Sequence, residues 1–205
     1  MTRPQPPADF APPRLADLRR WGALVGLVGA VVFVWSYGPG LAGPLPVLAR
    51  VLVVVLVVAA VVLLLVVPRW LGRFHVPTPL AMSVYVGCVA AELVLIRLGS
   101  AWLDGRGDAS ARPALIAAVV GLHFLPFAWA FRERMFTVLG AALVLLGGGG
   151  LVAELSGVGH AAALAAVASG LVMAALVAAY AAGAFASPRP VSSDATSGAT
   201  SSGTP

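Results

Sequence analysis

Apolar residues in this chain come in six long blocks with polar residues at their ends, unlike the alternation of strands or the one-sided stripes of soluble helices. The blocks span about 21–37, 47–67, 80–98, 113–131, 135–153 and 160–185. Each supplies the roughly 17–25 residues that a helix needs to cross a hydrocarbon core about 30 Å thick. With no water there to satisfy backbone N–H and C=O groups, such a run has to be helical. The pattern predicts an all-α integral membrane fold, a six-transmembrane-helix bundle over residues 21–186. The connections are short, so neighbouring helices are expected to be antiparallel and in contact. Gly147 to Gly150 interrupt the fifth block and predict a helix that breaks or ends early there. Residues 1–20 form a proline-rich arm closing on a basic, interfacial stretch, and 187–205 a tail rich in Ser, Thr and Gly. Neither is apolar enough to build a core, and both read as disordered.

Composition agrees with this division. The 205 residues are 60% hydrophobic and only 10% charged, where a soluble domain averages about 25% charged. All 13 basic residues are arginine, which with the abundance of Ala, Val, Gly and Pro suggests a GC-rich, bacterial coding bias. The net charge of +5 does not form a nucleic-acid-binding stripe, because the arginines sit at the ends of the apolar blocks. The lipid bilayer is the expected partner, and nucleic acid is not. With the N-terminus inside, the inner side holds Arg3, Arg14, Arg19, Arg20, Arg69, Arg73, Arg132, Arg134 and Arg189. The outer side holds Arg50, Arg106 and Arg112, with Arg97 near the outer end of its helix. Positive charge accumulates on the cytoplasmic side of membrane proteins, so the reading is N-in/C-in in the cell (cytoplasmic) membrane. The first block reads as an uncleaved anchor: its arm is long, and no small-residue cleavage site follows.

Helix association in lipid depends on close packing, because tails and side chains are equally apolar. In the sixth block Ala162, Ala166, Gly170, Ala174, Ala178 and Ala182 recur every four residues, and the first block carries Gly22, Gly26 and Ala30. These stripes predict tight packing of the first and sixth helices within one chain, with a homo-oligomer or membrane-complex seam as the alternative.

The residues out of place in such a chain are the polar ones inside the blocks. A central acidic residue costs roughly 2.5–3.5 kcal/mol on insertion scales, so its retention calls for a reason. Glu92 lies about 18 Å along its helix from Leu80, and His123 about 12 Å from Phe131. In antiparallel neighbours their depths then differ by about 6 Å, within reach of two side chains. A carboxyl group beside an imidazole can pass a proton or hold a polar substrate; it can also simply fasten two helices. Tyr85 and Cys88 share the Glu92 face of the third helix. Pro126 frees the carbonyl of Leu122, next to His123. Towards the outer side Arg97, Asp104, Glu154 and His160 gather. Pairing of Glu154 with Arg97 or His160 would close that end of the bundle.

Motifs for catalysis or cofactor binding are missing: no H-E-x-x-H, G-x-S-x-G, Walker A or strand–helix G-x-G-x-x-G occurs. The three histidines lie at different expected depths, so neither a metal nor a haem is expected, and no cofactor or enzymatic activity follows. The single Cys88 permits no internal disulfide. The segment Gly121-Leu122-His123-Phe124-Leu125-Pro126-Phe127-Ala128 resembles a G-x-H-F-x-P-x-A segment in a mid-chain helix of small bacterial multi-pass membrane proteins without an assigned activity. The resemblance covers one helix. It implies a multi-helix membrane fold and a role for His123 and Pro126. The functional expectation is a small transporter, channel-like or proton-coupled accessory protein using Glu92 and His123; the alternative is a membrane scaffold or complex subunit in which the pair is structural.

Overall fold

The computed structural model describes residues 18–67, 78–131 and 133–186. Residues 1–17, 68–77 (with Arg69, Arg73 and His75), Arg132 and 187–205 lie outside the described residues. Among the described residues the chain is helical without strands, and six helices are long and apolar enough to cross a membrane. They are α1 (Leu18–Tyr37), α2 (Leu45–Leu65), α3 (Pro79–Gly105), α4 (Arg112–Phe131), α5 (Arg134–Leu155) and α6 (Ala161–Ala181). Two single 3₁₀ turns, Gly38–Gly40 and Ala109–Ala111, lie between α1 and α2 and between α3 and α4.

Local chemistry sets the ends. α3 starts where the Thr78 side chain accepts the Ala81 N–H at 3.2 Å and Pro79, which has no N–H to satisfy, occupies the first turn. It runs to Gly105, beyond the end at residue 98 expected from hydropathy, because nothing between Gly99 and Asp104 forbids a helix. The stop comes at Gly107, whose φ of 81° lets the Asp108 N–H turn back to the Leu103 carbonyl at 2.9 Å. α6 ends at Ala181, short of residue 185, for the same reason: Gly183 at φ 88° lets Ala184 N–H reach the Ala179 carbonyl at 3.0 Å. Hydropathy tracks where lipid begins, and the helix ends where the backbone can turn.

The glycine run in α5 does not break the helix, which continues to Leu155. Two of the four glycines are packing positions. A Cβ on Gly147 would run into the Ala118 backbone nitrogen of α4, and one on Gly150 into the Ala165 methyl of α6, whereas Gly148 and Gly149 have nothing within 4 Å. Further along the same seam, a Cβ on Gly121 would lie 2.6 Å from the Val144 nitrogen and 2.9 Å from the Gly140 carbonyl. Here α4 and α5 touch backbone to backbone, which is how small residues replace the hydrophobic effect in lipid.

α6 is the centre, in contact with α1, α2, α4 and α5. Its small-residue stripe is buried from Ala162 through Ala166 and Gly170 to Ala174, and a Cβ on Gly170 would come within 2.8 Å of the Ala30 carbonyl of α1. The stripe is thus used inside the chain. Gly22 takes no part in it and is exposed, so α1 meets α6 through Ala23, Leu27, Ala30 and Val34. α3 is the opposite case. It packs against α4 and the 3₁₀ turn before it, and only 6% of its apolar stretch is buried, against 50% for α6. Exposed tryptophans mark both ends of the bundle: Trp21 and Trp129 at one, Trp35 and Trp102 at the other. Tryptophan favours the level of the lipid headgroups, which suits rings at the ends of apolar helices. Arg106 lies 4.8 Å over the Trp102 ring and Arg50 5.8 Å over Trp35.

Candidate functional site

Glu92 and His123 meet across the α3–α4 seam. His123 Nδ1 lies 3.0 Å from Glu92 Oε2, with side chains 13% and 16% exposed. The distance is that of an ion pair, but the ring N–H is not directed along it, so the contact is not an aligned hydrogen bond. Glu92 is ten residues from Trp102, about 15 Å along the helix, and His123 six residues from Trp129, about 9 Å. The pair therefore sits between the two tryptophan levels, remote from both.

Aromatic rings enclose the imidazole. Phe124 lies 4.2 Å from it and Phe127 4.9 Å, edge to face. Tyr85 of α3 stacks on Phe127 at 5.1 Å, and Phe136 of α5 stacks on Phe124 at 5.8 Å. Tyr85 thus supports a ring that touches His123. Cys88, one turn before Glu92, is a half-buried free thiol. Among the described residues no three His, Cys, Asp or Glu side chains converge where they would hold a metal ion. Pro126 lies inside α4 without breaking it and offers no N–H to the Leu122 carbonyl, as its chemistry requires. A carboxyl group, an imidazole and an under-used carbonyl thus lie within about one turn of helix.

The second polar group does not assemble as expected. Arg97 is exposed on α3, and α4 stands between that helix and the α5–α6 turn that carries Glu154 and His160. Glu154 pairs with neither. Its Oε2 instead accepts the Ala162 N–H at 3.0 Å and caps the first turn of α6, a task that His160, at the cap position with φ 67°, leaves undone. Asp104 forms its ion pair with Arg112, tying the end of α3 to the start of α4. Glu154 and His160 do share an open cavity of about 430 Å³ with Ser36 and Tyr37 from the end of α1, Ser110 from the 3₁₀ turn before α4 and Pro113 from the start of α4. Sequence reading missed Ser36, Tyr37 and Ser110 here. Ser36 and Tyr37 end α1 and Ser110 lies in the turn between α3 and α4, and no spacing in the chain links the two places. No known protein family, no curated protein and no solved structure matches this chain.

Proposed function

We propose that this is a multi-pass protein of the cytoplasmic membrane, with both termini inside, acting as a small proton-coupled transporter or channel-like protein. The carrying observation is the 3.0 Å contact of a carboxylate with an imidazole between the tryptophan levels. Two ionisable groups at that depth are costly, and passing a proton is a task that would use both. Their position supports the reading further. The pair joins α3, which has little packing elsewhere, to the tightly packed core, so a change of its protonation alters how firmly one whole helix is held. The surplus of arginine on the ends assigned to the cytoplasm supports the orientation. No enzymatic activity and no cofactor is assigned.

The test is proton flux in proteoliposomes carrying a trapped pH-sensitive dye. Wild type is expected to dissipate a pH gradient, and Glu92→Gln and His123→Ala to slow this by at least about tenfold, the scale of losing a proton-transfer group. A wild type without flux, with both variants folded but less stable, would refute transport. That result would leave the second reading, a scaffold or complex subunit in which the pair only fastens α3. The long exposed side of α3, with Val86, Leu93, Val94 and Leu98, is the feature that favours it.

A further inference from the structure

We infer that the cavity at the α1, α4 and α6 ends is a binding site for a small organic ammonium ion. At about 430 Å³ it has the size of a small-molecule pocket. Its polar groups are open to a ligand, with Ser36, Ser110 and His160 exposed and Tyr37 and Glu154 half-buried. Glu154 spends Oε2 on Ala162, and its other oxygen makes no bond with any described residue. The side chains of Ser36, Tyr37, Ser110 and His160 also have no hydrogen-bond partner among the described residues.

The charge balance selects the ligand. Glu154 is the cavity's one acidic residue, and no arginine lines it. Arg112, beside Pro113 in the chain, is committed to Asp104. α1 and α5 bring their C-terminal carbonyls to this end, whose partial negative charge favours a cation. The amino end of α6 has the opposite sign, but its Ala162 N–H is already answered by Glu154, and Pro113 has no N–H to give. An anion would therefore meet the Glu154 carboxylate with no arginine in the lining to offset it. A cation meets a carboxylate oxygen, hydroxyl acceptors and the Tyr37 ring, the combination that binds alkylammonium groups. The site lies apart from Glu92 and His123, and the inference does not depend on proton transport.

Equilibrium binding to purified protein in detergent tests it, with methylammonium, choline and tetraethylammonium as probes and the uncharged carbon isostere of choline as control. Saturable binding of at least one ammonium is expected, about tenfold or more tighter than that of the isostere. Glu154→Gln removes the charge yet keeps an oxygen to cap Ala162, so the fold should survive while affinity drops by about tenfold or more. Ser110→Leu, at an exposed position, fills the cavity without breaking a hydrogen bond and should also weaken binding. The site is refuted if no ammonium saturates folded wild type, if the isostere binds as well as choline, or if both variants bind like wild type. Binding without proton flux would uphold this site and refute the transport reading alone.

Discussion

Asp104–Arg112 and Glu92–His123 both join α3 to α4 through polar side chains, but their surroundings give them different worth. The first has side chains 45% and 42% exposed, so solvent screens it and it contributes at most about 1 kcal/mol. The second is 16% and 13% exposed and among apolar rings, where a group that loses its partner bears its own desolvation, about 1–3 kcal/mol. Asp104→Ala is therefore expected to lower stability by less than about 1 kcal/mol and Glu92→Ala by about 1–3 kcal/mol, measured by denaturant titration in mixed micelles. Equal losses would mean the buried pair carries no special weight. The glycines divide in the same residue-by-residue way. Gly147→Leu inserts bulk against the backbone of α4 and should cost about 1–3 kcal/mol or more. Gly148→Ala, one residue on, meets nothing within 4 Å and should be neutral or stabilising by up to about 1 kcal/mol. Similar losses at both positions in the same titration would contradict the α4–α5 seam.

Among the elements, α3 and α6 stand at opposite ends of one range. α6 is almost all Ala, Val, Gly and Leu, and its small residues allow close approach on several sides, so four helices can lie against it. α3 carries Glu92 and Arg97, and many of its small residues, Gly87, Ala90, Ala91 and Ala101 among them, are exposed and not packed against another helix. It touches α4 where Gly99 makes room for Leu115, along the Glu92–His123 contact, and through Tyr85 on Phe127. A helix so lightly held opens at lower free energy than one at the centre. Hydrogen–deuterium exchange in detergent is expected to lose protection first in α3 and last in α6. A protected α3 in the isolated chain would mean that something else covers it. α4 mediates between the two, bringing Pro113 to the cavity, His123 to the pair and Gly121 to α5.

For the molecule as a whole, six long apolar blocks, their approximate limits and the polar residues inside them were legible in the chain, because the need to satisfy every backbone group in lipid acts on each block separately. The nearness of Glu92 and His123 was legible too, since adjacent antiparallel helices fix relative depth by counting residues. Other features were not. Helix ends at Gly105 and Ala181 depended on where a left-handed glycine lets the chain turn back, and hydropathy does not register that. Gly147 and Gly150 read as breakers because propensity is local, and only the approach of α4 and α6 turns them into contacts. Arg97 and Glu154 seemed neighbours by depth, but depth says nothing of lateral position, and α4 lies between their helices. What the sequence by itself determined is the class of fold and the depth of its charges, both dictated by the apolar solvent it matches. Only the tertiary structure decided which helix stands at the centre, which stands alone, and which polar groups share a cavity, because lateral packing in lipid depends on the fit of small residues between helices distant in the chain.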